Sequence, residues 1–315
     1  MPDARAIPTG GTQTGDRVFQ GITTAVALAV VLVLLAMTAF LVVRAWPAVR
    51  TAGGDFFTER QWFPDAEPAR FGIAALVWGT LVSSVLALAV AVPVAIGSAL
   101  YVTEYARAAV GRWIGYLIDV LAAVPSVVYG LWGLLFLVPR MVPAQRFLAQ
   151  HFGFIPLFDN PDGAYGKSVF AASVVLALMV LPIVAAVSRE VFRQVPGDLR
   201  EAALALGATR WEVIRTAVLP SSRSGVVGAV ILGLGRALGE TIAVALVLAA
   251  TFDVNLHILR PGGNTIAANV ATKFGEAGDV GRSALIASGL VLFAITLAAT
   301  VAARGVIRRT AAAAR

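Results

Sequence analysis

Six apolar runs constrain this chain more than anything else in it. They cover about residues 22–44, 71–102, 115–139, 168–188, 224–251 and 283–303. Each is long enough to cross a bilayer core of about 30 Å as an α-helix. Lipid offers no water to satisfy backbone N–H and C=O groups, so spanning segments of this length are helical. Of the 315 residues, 58% are hydrophobic and only 14% charged, too little polar surface to clothe a water-soluble globule. The expected fold class is therefore all-α: a polytopic membrane protein of six transmembrane helices.

Residues 1–20 are mostly polar and read as a disordered tail. The run at 22–44 exceeds a signal-peptide core and lacks a small-residue cleavage site, so it reads as a retained helix. Trp46, Phe56, Phe57, Trp62 and Phe63 follow in a polar loop and suit a membrane–water interface. Pro93, Pro125 and Pro182 fall within the second, third and fourth runs and predict kinked, packed helices.

Six spans put both termini on one side. The tails with the second and fourth loops hold about fourteen arginines, against about ten basic residues in the other loops. That bias places the termini and residues 189–223 in the cytoplasm. The net charge of +7 reads as anchoring of this kind rather than nucleic-acid binding, since no basic cluster with interleaved aromatics occurs. With no cysteine, and with His151 and His257 scattered in expected loops, neither disulfides nor a metal site is predicted.

The charged stretch 189–223 interrupts the apolar pattern, and residues 196–220 read as two short helices. Asp198 and Glu201 have capping-box spacing, and Leu199, Ala202, Ala203 and Leu206 make a small apolar face. Gly207 suits a left-handed stop, Thr209 and Glu212 form a second capping box, and Pro220 closes the unit. Such a pair can seat in a partner's groove. It can equally be a surface loop with local helices.

Arg236 and Glu240 lie within the fifth apolar run. A charge at membrane depth costs about 2.5–3.5 kcal/mol on insertion scales, so such residues face a bundle interior or a wet cavity. Four apart, they share one helix face. Arg236 offers paired N–H donors that fit a phosphate or carboxylate, and Glu240 neutralises it when no anion is present. The plainer alternative is a buried pair that joins helices and never meets substrate. Gly235 and Gly239 give a GxxxG spacing, with Gly228 seven residues before, that allows close helix approach. Ser126 and Tyr129 supply hydroxyls near Pro125, for the path or for helix packing.

A nucleotide-binding loop is excluded at Gly163–Ser168. The first glycine it requires would stand where Pro161 does, so the chain is not expected to bind ATP.

EAALALG at 201–207, followed by Leu219 and Pro220, resembles the EAA loop of permease subunits of bacterial ABC importers. Ala217 stands where that family often has isoleucine. FGIAALVWGT (71–80), YVTEYA (101–106), AVPSVVYGLWG (123–133), GLGRALGETIAV (233–244) and GGNTIAANVATKFGEA (262–277) resemble the permeases of phosphate importers, of PstC type. The resemblance covers about residues 70–309. It implies a permease transmembrane domain at 71–309; the hydropathy pattern adds a first helix with its extracytoplasmic loop at 21–70 and cytoplasmic tails at 1–20 and 310–315. The resemblance implies a coupling segment at 196–220 with Glu201, Ala202, Ala203 and Gly207 facing an ATPase; the substrate path expected from the charges and hydroxyls above comprises Arg236, Glu240, Ser126 and Tyr129. The partners that the resemblance implies are a PstA-type sister permease, two ATPase subunits, an extracytoplasmic phosphate-binding protein and inorganic phosphate itself. The setting it implies is a bacterial inner membrane. A permease for molybdate or sulfate, and a non-conducting phosphate-sensing scaffold, are the alternative functions. No enzyme chemistry is expected.

Overall fold

The structure, a computed structural model, describes residues 12–313. Its elements in order are α1 (Thr12–Ala52), α2 (Asp55–Thr58), a two-residue antiparallel ladder of β1 (Trp62–Phe63) and β2 (Arg70–Phe71), α3 (Ala74–Leu100), α4 (Ala108–Ala123), α5 (Ser126–Trp132), α6 (Val138–Phe152), α7 (Val169–Arg193), α8 (Gly197–Ala205), α9 (Arg210–Val213), α10 (Leu219–Gly239), α11 (Ile242–Val247), α12 (Ile266–Lys273) and α13 (Asp279–Ala313). π-helical turns at Tyr101–Tyr105, Gly133–Leu137 and Ile214–Val218 extend α3, join α5 to α6 and join α9 to α10. Six of the described helical stretches are long and apolar enough to cross a membrane.

The core is built on α3 and α7, which pack together more extensively than any other pair of described elements. Ala87, Ala91, Ala95 and Ala99 recur every fourth residue along α3 and are fully buried. With so little side chain there, the helix axes can approach closely, which is how packing is gained where lipid removes the hydrophobic drive. Val175, Leu176, Val180 and Val184 of α7 fill the facing side, with Ala229 and Ala237 of α10 and Val244 and Val247 of α11. A second cluster, Phe56, Trp62, Phe71, Leu76, Ile266 and Leu285, closes the end of the bundle away from α8. There the Asp65 carboxylate accepts from the backbone N–H groups of Gly278 (3.0 Å) and Gly281 (2.8 Å), serving the unpaired donors that start α13. The Glu59 carboxylate accepts from the N–H groups of Gln61 and Arg60, which holds its pKa below the usual value.

Four sequence expectations change. The helix begins at Thr12, so residues 12–20 belong to α1 rather than to a disordered tail; residues 1–11 lie outside the described part. The third run is two helices. Proline disfavours helical geometry in the residue before it, and Val124 is extended (ψ 130°). The chain stops at Ala123 and restarts at Ser126, with Pro125 at the N-cap instead of inside a kinked helix; Pro93 and Pro182 do lie within helices. His151 sits in α6, which continues past the expected end of the third span, rather than in a loop. The polar stretch after the fifth run turns back into the bundle, burying Ile266, Ala267, Ala268 and Asn269 of α12.

Candidate functional site

Arg236 occupies the last turn of α10, and Glu240 is the residue at which that helix stops. The fifth apolar run is thus broken. Glu240 is extended (ψ 130°), Thr241 follows with ψ −70°, and α11 starts at Ile242. The Thr241 hydroxyl donates to the Gly239 carbonyl at 3.0 Å, one of the acceptors that the broken helix leaves free. Depth follows from packing. A Cβ on Gly233 would meet Val180 and Val184 on either side of Pro182, so Arg236 lies one turn beyond the middle of α7.

The pair expected from i,i+4 spacing is present but loose: Arg236 Nη2 stands 4.0 Å from Glu240 Oε2. Glu240 is 8% exposed, whereas the Arg236 side chain keeps 35% of its surface open. Arg236 Nε is buried without a hydrogen-bond partner. A guanidinium at this depth that keeps about a third of its surface open can offer its terminal N–H donors to an anion.

Tyr129 stands in α5, one residue before Gly130. Its hydroxyl donates to the Leu121 carbonyl at 2.9 Å, bridging the break between α4 and α5. Ser126 opens α5 on the same side of that break. Gly130 rests directly on Ala243, so α5 and α11 cross where the two interrupted helices meet. Arg236, Tyr129 and the two chain breaks therefore form one region. Interrupted helices at mid-depth are a recurrent way to build a transport site, because the break frees polar backbone beside the substrate.

The glycines of α10 divide by face. Gly225 and Gly233 are close-packed: an added Cβ would come within 2.5 Å of Val191 and 2.7 Å of Val184 respectively. Gly228, Gly235 and Gly239 meet nothing within 4 Å. The GxxxG spacing around Arg236 thus makes no close contact with described residues and lies on an open face.

The segment 196–220 forms the two expected helices, but the first cap differs. Pro196 is the N-cap of α8, without a side-chain hydrogen bond, so Asp198 and Glu201 form no capping box. The second box is present, Thr209 and Glu212 each bonding the other's backbone. Gly207 has φ +83°. The N–H of Gly207 bonds the Leu204 carbonyl at 2.9 Å and that of Ala208 the Ala203 carbonyl at 3.2 Å, a Schellman stop. No residue of α8 is buried; Glu201, Ala202 and Gly207 are exposed and Ala203 half-buried. Leu206 is 89% exposed and Trp211 57%, so the unit offers an apolar surface outward.

Two ion pairs join this end of the bundle; the Asp119 side chain of the first is 54% exposed, and the second is largely sheltered. Arg189 of α7, 9% exposed, reaches Asp119 of α4 at 2.8 Å. Gly115 gives its guanidinium room. A lone carboxylate inside the third apolar run was the available sequence signal. Arg200 of α8 grips Glu104 through two hydrogen bonds, of 2.9 and 3.3 Å. Sequence spacing gave no hint of this pair, whose members are 96 residues apart.

Residues 91–312 match the family model described as binding-protein-dependent transport system inner membrane component. The chain is 43% identical over 309 residues to "Phosphate transport system permease protein PstC 2" of Mycobacterium tuberculosis, covering 97% of this chain and 95% of that one. It is 39% identical over 298 residues to "Phosphate transport system permease protein PstC" of Haemophilus influenzae, with 93% of each chain covered. Among solved structures, a chain of a bacterial ABC transporter involved in the import of the acidic polysaccharide alginate aligns with TM-score 0.57 and 17% identity, over 93% of this chain and 99% of that one. A chain of the inward-facing MetNI methionine ABC transporter aligns with TM-score 0.50 and 21% identity, over 76% of this chain and 99% of that one. These two show a shared fold. With its interrupted helices, outward-facing α8 and six spans, the chain belongs to the family of binding-protein-dependent transport system inner membrane components.

Proposed function

We propose that this chain is a permease subunit of an ATP-driven inorganic phosphate importer, forming half of the translocation path. The observation that carries the substrate is its 43% identity, over 97% of its length, to a permease named for phosphate transport. That favours phosphate over molybdate or sulfate, and a conducting subunit over a sensing scaffold. It is a multi-pass membrane transport subunit rather than an enzyme, and works with ATPase and substrate-binding partners. The finer reading is an inner-membrane heterodimer with a PstA-type sister, two ATPase subunits and an extracytoplasmic phosphate-binding protein, with both termini cytoplasmic.

Arg236 receives the anion at mid-membrane, assisted by Tyr129 and Ser126, while Glu240 balances its charge between passages. The open glycine face of α10 around Arg236 meets the sister permease. Glu201, Ala202, Ala203 and Gly207 form the surface that docks on the ATPase. Nucleotide binding in the partners drives alternating access only by favouring one arrangement of the spans over the other. Phosphate uptake in proteoliposomes containing the full complex tests this, wild type against Arg236→Gln, with ATP hydrolysis recorded in parallel. The expected result is lost uptake with binding-protein-stimulated hydrolysis intact. Normal uptake at equal protein abundance would remove Arg236 from the path. Displacement of labelled phosphate by molybdate or sulfate at equal concentration would overturn the substrate assignment.

A further inference from the structure

α8 has almost nothing apolar to hold it to the spans. None of its residues is buried, and only Ala203 packs on the cluster of Ala99, Phe192, Val195, Val213 and Val218 beneath it. Its attachment is polar and converges on one side chain. Arg200 Nη2 donates to Glu104 Oε1 at 2.9 Å and Nε to Oε2 at 3.3 Å. Nη1 also donates to the Val195 carbonyl at 2.6 Å, and Nη2 to the Phe192 carbonyl at 2.7 Å. Glu104 lies in the π turn that continues α3, while Phe192 is in the last turn of α7 and Val195 follows that helix. A single guanidinium thus binds the ends of both helices of the best-packed pair in the molecule. The site is sheltered, with the Arg200 side chain 24% exposed and that of Glu104 11%. Charge-assisted, two-pronged pairs of this kind fix orientation as well as distance, which a lysine cannot reproduce.

We propose that Arg200 and Glu104 form the joint through which a displacement of α8 reaches the spans, delivering it to α3 and α7 as one body. From α7 it passes to α10, which is locked on it at Gly225 and Gly233 and carries Arg236. Arg200 is a positioning residue here and touches no substrate. This rests on the importer reading above.

The test uses the full complex in proteoliposomes and reads phosphate moved per ATP hydrolysed. Arg200→Ala and Glu104→Ala keep binding-protein-stimulated hydrolysis, and the transport ratio falls about tenfold, a typical size for coupling between sites. Glu104→Gln, which keeps the shape and loses the charge, gives an intermediate ratio. The chain has no cysteine, so a Glu104→Cys/Arg200→Cys pair can be bridged in the membrane by a short, reducible thiol cross-linker before extraction. Bridging restores the ratio and reduction abolishes it again, even where the alanine variants assemble poorly. An unchanged ratio in the alanine variants, or a bridge that does not restore coupling, overturns the joint. A wild-type complex that hydrolyses ATP without moving phosphate overturns the importer reading instead.

Discussion

Arg236 carries a charge that its neighbours only half answer. The 4.0 Å approach to Glu240 is too long for a hydrogen bond, and Nε has no partner. Removing the guanidinium strands a carboxylate that is 8% exposed. Because the arginine itself is about one-third open, the cost is smaller than for a fully buried pair, about 1–2 kcal/mol. Arg236→Gln therefore lowers the thermal midpoint of the detergent-solubilised chain, and Arg236→Gln/Glu240→Gln recovers most of the loss without recovering phosphate uptake. A double variant no more stable than the single one would show that the two charges do not interact. Tyr129 gives a contrasting case. Tyr129→Phe removes the donor to the Leu121 carbonyl and costs about 1 kcal/mol in the same unfolding assay. An unchanged midpoint would mean that this hydrogen bond does not secure the junction between α4 and α5.

At the scale of elements, α10 is one helix with two kinds of glycine. Gly233→Ala pushes a methyl group against Val180 and Val184, and overpacking of that sort costs about 1–3 kcal/mol. Gly235→Ala meets open space, so the isolated chain gains up to about 1 kcal/mol from helix propensity. If the open face meets the sister permease, Gly235→Ala nevertheless reduces co-purification of that subunit, while Gly233→Ala acts through stability alone. Thermal unfolding and pull-down on both variants separate these effects; full co-purification of Gly235→Ala would take the sister off this face. The breaks that shape the site were unequally legible. The stop at Ala123 follows from Pro125 and could be read from one residue. No proline announces the stop at Gly239, where tertiary packing of α11 against α5 overrides an apolar run that reads as continuous. Depth within a run of hydrophobic residues shows that Arg236 is special, but spacing along a helix cannot reveal that the helix ends three residues later.

For the whole molecule, hydropathy was enough to give six spans because lipid permits so few backbone solutions. It gave less about what lies between them. The stretch that holds α12 looks polar in sequence yet is buried, since Thr80, Asn264 and Thr265 satisfy its entry: Thr80 Oγ1 accepts the Ile266 N–H at 3.0 Å, and Thr265 caps the Ala268 N–H. Long-range joints such as Arg200–Glu104 were equally invisible, because nothing in local spacing records a partner 96 residues away. Sidedness rests on a modest arginine bias, and the absence of cysteine makes it directly testable. Phe154 is 81% exposed just beyond α6, and Leu206 is 89% exposed at the end of α8. The two lie on opposite sides of the fourth span. In intact spheroplasts, a membrane-impermeant maleimide labels Phe154→Cys and leaves Leu206→Cys untouched until the membrane is permeabilised. The reverse pattern would turn the molecule over and place α8 where no cytoplasmic ATPase reaches it. The importer reading and the Arg200 joint would then fall together, since both require α8 on the side where ATP is.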